Sequence, residues 1–282
     1  MSSTSGIRGF CLSFVLIFAA TAHAQGYRFT TIFVPGSTGT NIAGMNNGGD
    51  VVGNYFPFGG GTSHGYVYRL GAYSDVYVAG SHYTSPEGIN SSGTIAGFYE
   101  VGTIYHGFLY SQGTYSTFDY PGAINTQLTA INNQGDVLGS SDAPHGGSFL
   151  YSNGVFTSIH YAGAQITESL GVNDAKQVVG AYGSIHDGPH GFLESGGVYT
   201  TIDYPGAADG TVLVGINNRG QIFGYYTDSA FVNHAFLYQN GVFRLLPLPS
   251  LASTNLTGFN DSDQFVGYYF NPRQTGFIGT PN

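Results

Sequence analysis

A short motif of glycine, a hydrophobic residue and asparagine recurs along the chain at nearly constant spacing. It occurs six times, once with alanine in place of glycine: Gly44-Met45-Asn46, Gly88-Ile89-Asn90, Ala130-Ile131-Asn132, Gly171-Val172-Asn173, Gly215-Ile216-Asn217 and Gly258-Phe259-Asn260. Successive asparagines are 44, 42, 41, 44 and 43 residues apart. This period is typical of four-stranded propeller blades and exceeds that of leucine-rich or ankyrin repeats.

Residues 211–246 show the content of one repeat. Four runs rich in β-branched and aromatic residues, TVLVGIN, QIFGYY, HAFLY and VFRLL, are separated by the turn or loop segments NRG, TDSAFVN and QNG. Such runs bounded by Gly, Asn and Asp indicate short strands. No stretch of ten or more residues has helical periodicity. The sequence therefore predicts an all-β fold.

The frame of the repeat predicts how the ring closes. Residues 27–36, YRFTTIFVPG, match a fourth strand, whereas the chain ends near a match to a third strand at residues 275–279. We therefore predict a six-bladed β-propeller of four-stranded blades in which residues 29–35 complete the sixth blade. The predicted single domain covers residues 25–282, with repeats near residues 29–72, 73–114, 115–155, 156–198, 199–242 and 243–282.

The first 24 residues predict a secretory signal peptide. Arg8 precedes an apolar run at residues 9–22, and Ala22-His23-Ala24 fits a cleavage site. We expect a secreted protein, extracellular or periplasmic, whose mature chain has no cysteine because Cys11 lies in the leader. No apolar run is long enough for a membrane-spanning helix. Lys and Arg number 7 in 282 residues, which argues against nucleic acid as a partner.

The turn after each repeated asparagine has the pattern Asn-x-x-Gly. Asn can hydrogen-bond the backbone ahead of it, and Gly can adopt the left-handed conformation that closes a hairpin. Two copies carry Lys176 and Asp263 in the glycine position. We expect positive φ at these two residues if the turn is kept; the alternative is a different turn in blades four and six.

Four repeats carry histidine at the start of the third strand. His234-Ala235-Phe236 is accompanied by the variants His64-Gly65-Tyr66, His106-Gly107-Phe108 and His190-Gly191-Phe192. Together with the GINN and DYPGA segments, these triplets resemble the extracellular HAF-repeat family of bacteria over roughly residues 29–279. The resemblance implies a secreted repeat protein and brings no catalytic residues. Gly147 and Thr275 depart from it in the histidine position.

The repeated histidines are predicted to be structural. A residue that recurs once per blade sits at the same radius around the ring, so neighbouring copies are too far apart to share one ion unless they face the axis. We expect the imidazoles of His64, His106, His190 and His234 to bond the backbone of an adjoining strand or loop, and Asp119 and Asp203 to bond turns. No metal site and no cofactor are predicted.

Antiparallel blades place their loops on two faces. The first face carries the loops that precede strands one and three, and the second face carries the Asn-x-x-Gly turns and the turns between strands three and four. Tyrosines that end strand two lean towards the first face, which is the predicted ligand-binding face. The candidate ligand-binding residues are Tyr99, Tyr225, Tyr226, Tyr268 and Tyr269.

Departures from the repeat concentrate in blades three and four. Residues that every copy shares are explained by the fold, so residues that break the pattern are free to serve a function. Carboxylates and histidines among them can act as acid or base. The candidate catalytic residues are Asp142, His145, His160 and Glu168, with sequence drift in a tolerant repeat as the alternative explanation.

These patterns favour a secreted, non-catalytic binding or scaffold propeller. Its aromatic-rich face would hold a neutral or weakly polar ligand such as a glycan, because tyrosine offers a large contact area with a polar tip. The alternative is a secreted carbohydrate-active hydrolase or lyase that uses the His and carboxylate residues of blades three and four.

Overall fold

The structure is a ring of six four-stranded antiparallel sheets. It is a computed structural model that describes residues 26–144, 146–184, 188–248 and 254–282. Within these ranges every regular element is a β-strand, and no helix is long and apolar enough to cross a membrane. The predicted fold, a six-bladed β-propeller, is confirmed.

Each blade contributes an inner, a second, a third and an outer strand, in that order. Blade 1 contains β2 (Ser37–Met45), β3 (Val51–Pro57), β4 (His64–Arg69) and β5 (Ala72–Val76); blade 2 contains β6 (Tyr83–Ile89), β7 (Ile95–Val101), β8 (Ile104–Ser111) and β9 (Thr114–Phe118). Blade 3 contains β10 (Thr126–Ile131), β11 (Val137–Ser141), β12 (Gly147–Ser152) and β13 (Val155–Ser158).

The remaining blades follow the same order. Blade 4 contains β14 (Ile166–Val172), β15 (Val178–Gly183), β16 (His190–Ser195) and β17 (Val198–Thr201); blade 5 contains β18 (Thr211–Ile216), β19 (Ile222–Thr227), β20 (Asn233–Gln239) and β21 (Val242–Leu245). Blade 6 contains β22 (Asn255–Phe259), β23 (Phe265–Phe270), β24 (Gln274–Pro281) and, as its outer strand, β1 (Tyr27–Ile32). Neighbouring inner strands contact one another around the whole ring and enclose a central channel.

Closure by the N-terminal strand is also confirmed. β1 pairs with β24 from Tyr27 opposite Pro281 to Ile32 opposite Gly276. The strand ends before the predicted residue 35 because Pro35 and Gly36 begin a turn, in which Gly36 has φ of 80° and Ser37 N donates to Val34 O. The first and the last described strands thus pair in one sheet, which completes the sixth blade.

The cores lie between neighbouring blades. In one of them Ile42, Val51 and Tyr66 of blade 1 pack against Val266 of blade 6 and Ile32 of β1. A glycine in every second strand lets that strand lie close to the inner strand of its own blade, because a Cβ at Gly180 would collide with the carbonyl oxygen of Glu168. The equivalent glycines are Gly53, Gly97, Gly139, Gly224 and Gly267.

The six repeated asparagines form a closed ring of hydrogen bonds around the channel. The side-chain amide of each donates to the backbone carbonyl of the asparagine in the next blade. The bonds are Asn46 to Asn90 (3.1 Å), Asn90 to Asn132 (3.2 Å), Asn132 to Asn173 (3.0 Å), Asn173 to Asn217 (3.2 Å), Asn217 to Asn260 (3.3 Å) and Asn260 to Asn46 (3.2 Å). We call these six residues the Asn ring.

Each asparagine of this ring also shapes its own turn. Asn132 Oδ1, for example, accepts from the backbone N–H of Gln134 and of Asp136, and its Nδ2 donates a second bond to the Asp136 carboxylate. Asp could not donate these bonds and Ser could not span them, which explains asparagine in all six copies. The turns of blades 4 and 6 are kept, and Lys176 and Asp263 have φ of 61° and 58° as expected.

Candidate functional site

No hydrogen bond or ion pair joins Asp142, His160 and Glu168, the three predicted catalytic residues that the structure describes. The carboxylate of Asp142 accepts bonds from Ile124 N and Asn125 N at 2.9 Å and from Asn125 Nδ2 at 2.7 Å, and these bonds lower its pKa. His160 is exposed, and its backbone N–H donates to the Tyr199 hydroxyl. Glu168 lies on the inner strand of blade 4. His145 lies outside the described residues, so a role for that residue stays a prediction.

Three of the four repeated histidines bond a carboxylate, not the backbone that we expected. The His106 and His190 Nδ1 atoms lie 2.9 and 2.7 Å from Asp119 and Asp203. His234 Nε2 lies 2.8 Å from Asp228, whose other oxygen caps the loop of blade 5 by accepting from Ala230 N and Val232 N. His64 differs: its buried Nδ1 has no hydrogen-bond partner among the described residues, and its ring stacks on Tyr77 at 4.5 Å.

The His–Asp pairs could have been predicted from the sequence, because His and Asp occur together at two fixed places in the repeat. Each motif was considered separately, so the pairing was missed. Asp203, which pairs with His190, also accepts a hydrogen bond from Gly191 N. These groups meet because the first residue of the third strand lies opposite the residue just after the outer strand. Blades 2 and 4 carry both His and Asp at these two places. Blade 3 carries neither residue in its usual place, with Gly147 opposite His160.

The structure divides the five predicted ligand-binding tyrosines into two groups. Tyr99, Tyr226 and Tyr269 have their ring faces occupied by other rings of the protein. Tyr99 stacks on His106 at 5.3 Å, Tyr226 stacks on His234 at 5.0 Å and on Tyr204 at 3.8 Å, and Tyr269 stacks on Phe277 at 6.1 Å. These rings pack against neighbouring rings of the protein and offer little free surface to a ligand.

Tyr225 and Tyr268 point to the opposite side of their strands. Neither ring contacts another aromatic ring, and neither hydroxyl has a hydrogen-bond partner among the described residues. Tyr225 lines a small cavity with Leu248 and Asn255, which places it between blades 5 and 6. Burial raises the pKa of both tyrosines, and the nearby charge of Glu168 and the Tyr268 hydroxyl add to the effect on Tyr225.

These two tyrosines belong to one level of the propeller, where each inner strand pairs with its second strand near the first face. The level comprises six cross-strand pairs: Asn41 with Asn54, Ser85 with Phe98, Gln127 with Ser140, Glu168 with Ala181, Val212 with Tyr225 and Asn255 with Tyr268. We call these twelve residues the mouth ring. It differs in every blade, although the preceding residue of the second strand is glycine in all six.

The mouth ring brings together residues from both predicted sets. Glu168 was a catalytic candidate, whereas Tyr225 and Tyr268 were ligand-binding candidates, and Tyr225 lies within electrostatic reach of the other two. Gln127 and Glu168 also have no side-chain hydrogen-bond partner among the described residues. The ring therefore presents free amide, carboxylate and phenol groups at one end of the channel.

A chain of side-chain hydrogen bonds leads from the mouth ring into the channel, with every donor directed towards Glu87. Burial raises the pKa of Glu87 to about 7, and the bond from Ser85 opposes this effect. In order, the bonds join Gln274 Nε2 to Asn41 Oδ1 (3.5 Å), Asn41 Nδ2 to Asn54 Oδ1 (3.1 Å), Asn54 Nδ2 to Tyr83 Oη (3.4 Å), Tyr83 Oη to Ser85 Oγ (3.1 Å) and Ser85 Oγ to Glu87 Oε1 (2.6 Å).

The second face carries a small polar depression at the other end of the channel. It is lined by the Asn ring and by the residues that follow it, among them Asn133, Asp174, Asn218 and Asp261. These polar groups bond one another: Asp174 accepts from Asn133, and Asp261 accepts from Asn218. The depression is thus built from groups that join blades. Within the described ranges, no cluster of three or more His, Cys, Asp or Glu residues could hold a metal ion.

Known structures of several kinds share this architecture. A gluconolactonase from Xanthomonas campestris is 10% identical with a TM-score of 0.55 and covers 91% of this chain and 90% of its own. The β-propeller domain of the Trilobed protease from Pyrococcus furiosus is 8% identical with a TM-score of 0.56, covering 86% and 94%. AofleA from Arthrobotrys oligospora is 13% identical with a TM-score of 0.50, covering 76% and 74%.

Similarity at this level of identity shows the fold alone, because one fold hosts many unrelated functions. No protein-family model matches the chain, and no curated protein sequence matches it.

Proposed function

We propose that this chain is a non-catalytic binding propeller that holds a glycan at the mouth ring. The observation that carries the proposal is that the sequence stops repeating at the mouth ring, although the residues on either side of it repeat. In the second strands, the residue before this level is glycine in every blade. The residue after it is tyrosine in every blade except blade 3, which has Ser141. Between them stand Asn54, Phe98, Ser140, Ala181, Tyr225 and Tyr268, so the fold does not dictate this position.

The chemistry of the mouth ring suits a sugar. Half-buried tyrosine rings pack against the apolar faces of sugars, and their hydroxyls bond the polar rim. Ligand sites combine such apolar contact with a few polar groups that fix orientation. Tyr225 and Tyr268 supply the rings, and Gln127 and Glu168 supply side chains whose hydrogen-bonding capacity the described residues leave unused.

Export is part of this proposal. The leader predicted at residues 1–24 and the resemblance to the extracellular HAF-repeat family support a site that meets its glycan outside the cytoplasm. Expression in a bacterial host, followed by N-terminal sequencing of periplasmic and culture-medium fractions, tests this point. We expect a mature chain that begins at Gln25; retention of residues 1–24 on cytoplasmic protein would contradict it.

A glycan-array screen of the chain without residues 1–24 tests the binding function. The best array ligand is then titrated against Tyr225→Ala and against Tyr226→Ala, a neighbouring substitution on the other side of the strand. We expect Tyr225→Ala to lower affinity at least tenfold and Tyr226→Ala to change it less than twofold. An array without any ligand, or the reverse order of the two variants, would refute the proposal.

A carbohydrate hydrolase or lyase is the second candidate function, and one observation favours it. Of the predicted catalytic residues, Glu168 lies in the mouth ring, where a bound glycan would meet it. The same array ligands, incubated with the protein and assayed for new reducing or unsaturated ends, separate the two functions. Release of such ends that Glu168→Gln abolishes would establish an enzyme.

A further inference from the structure

Glu87 occupies a position that the fold fills elsewhere with small or uncharged side chains. Every inner strand has a β-bulge at the same place, and the bulged residue has no paired partner in the second strand. In the other five blades this residue is Ala43, Thr129, Leu170, Val214 and Thr257. A carboxyl group is therefore not needed to build the channel at this level.

The carboxyl group of Glu87 has no counterion among the described residues. Its one hydrogen-bond partner is Ser85, a member of the mouth ring, so the carboxyl lies directly beneath that ring. On the flanking inner strands this level holds Ala43 and Thr129, which carry no charge, and the titratable side chain nearest in the hydrogen-bond chain is Tyr83. A half-buried carboxylate without a nearby cation has lost part of its hydration, so ionised Glu87 favours a ligand that brings a positive charge.

The mouth ring above Glu87 also favours a positively charged ligand. Glu168 is its one charged residue, and none of the twelve is Lys, Arg or His. The free faces of Tyr225 and Tyr268 attract a cation through the negative charge of their π-systems. The net charge of the whole chain, −9, adds a long-range attraction for cationic ligands.

We propose that the glycan held at the mouth ring is an amino sugar whose primary ammonium group pairs with Glu87. This assignment rests on the proposed function and narrows its ligand from neutral glycans to basic ones. Ser85 donates to Oε1 of Glu87. The second oxygen, Oε2, has no partner among the described residues, and in this proposal it accepts a hydrogen bond from the ammonium group. Burial raises the pKa of Glu87 to about 7, so the carboxyl ionises between about pH 6 and 8, and the pairing requires that ionised form.

Isothermal titration of the chain without residues 1–24 tests the assignment. The probes are the β-1,4-linked glucosamine dimer and the N-acetylglucosamine dimer, which differ in the charge of the amine. At pH 6.5 we expect the glucosamine dimer to bind at least tenfold more tightly. Glu87→Gln, which keeps the acceptor for Ser85, should abolish this difference, and Glu100→Gln, a control on the next strand of blade 2, should leave it intact.

The outcomes separate this inference from the function on which it rests. Equal affinity for the two dimers, with binding lost in Tyr225→Ala, would overturn the ammonium assignment and leave glycan binding in place. Absence of binding by every glycan of the array would refute the proposed function itself. If ammonium chloride alone displaces the glucosamine dimer at comparable concentration, the site takes a free monovalent cation, and the assignment to an amino sugar is overturned.

Discussion

The side-chain amide of Asn260 in the last blade donates to the backbone carbonyl of Asn46 in the first, at 3.2 Å, across 214 residues of sequence. This bond completes the Asn ring, so the propeller is closed at its centre as well as at its edge. The two closures are independent: one joins inner strands through side chains, and the other joins β1 to β24 through the backbone.

Removal of one member of the Asn ring should destabilise the whole propeller. Asn132→Ala deletes the bond to Asn173 O and leaves the N–H groups of Gln134 and Asp136 without acceptors. We expect a loss of about 2 to 4 kcal/mol in the free energy of unfolding, measured by urea denaturation. Asn133→Ala, the exposed neighbour, is the control and should cost clearly less; equal losses would show that the ring has no special role.

Loss of the N-terminal strand should open the other closure. A chain that begins at Gly36 lacks β1, which leaves one edge of β24 unpaired and uncovers part of the core around Phe265 and Phe277. We expect its melting temperature to fall well below that of the chain that begins at Gln25, with aggregation through the exposed edge. Identical melting of the two chains would mean that β1 contributes nothing to closure.

The turn at Leu70 offers a stabilising substitution. Leu70 has φ of 51° and is 98% exposed, while the equivalent place in blades 3 and 5 is held by Asn153 and Asn240 with the same φ. Asparagine tolerates this left-handed conformation better than leucine. Leu70→Asn should raise the free energy of unfolding by roughly 0.5 to 1 kcal/mol, and Asn153→Leu should lower it; thermal denaturation of the reciprocal pair checks both signs.

Glu87 should make stability depend on pH near neutrality. Its pKa rises from 4.5 to about 7 on burial, so between these values the folded chain holds a proton that the unfolded chain has lost. The free energy of unfolding therefore falls as pH rises through this window, by about 3 kcal/mol in total. Glu87→Gln should be more stable than the native chain at pH 8 and equally stable near pH 4.

Urea denaturation at a series of pH values measures this difference. Glu100→Gln is again the control, because it removes one carboxyl group from the same blade. Its free energy of unfolding should change with pH in the same way as that of the native chain. If the native chain and Glu87→Gln differ by the same amount at pH 4 and pH 8, the carboxyl does not titrate in this window.

The repeat alone predicted the fold, since the period, the strand pattern and the frame of the first and last strands each follow from sequence order. Bonds between blades could not be predicted in this way. The spacing of the asparagines was visible, but their reach to the next blade depends on how closely the inner strands approach, which only the packed ring determines.

Only part of the candidate site could be predicted, because the sequence does not show how neighbouring blades pack. Tyrosine pairs such as Tyr225-Tyr226 were seen as one feature, whereas alternate residues of a strand point to opposite sides, and only the packing shows which side is free. The mouth ring did leave a signal, because the residue after the shared glycine of strand two varies among the blades and is the same only in blades 5 and 6. Glu87 was overlooked because a bulge, which sequence does not reveal, sets its place in the channel.

The central claim is that ligand binds at the asymmetric mouth ring and not at the motifs that repeat around the rim. The stoichiometry of binding, measured by isothermal titration of the chain without residues 1–24 with its best array glycan, tests this claim most directly. The mouth ring surrounds one channel, so the account predicts one glycan per chain, and Tyr225→Ala should lower the affinity of that one site. Two or more equivalent sites per chain, unaffected by Tyr225→Ala and weakened by His106→Ala and His190→Ala, would place binding at the repeated His–Asp pairs and contradict the account.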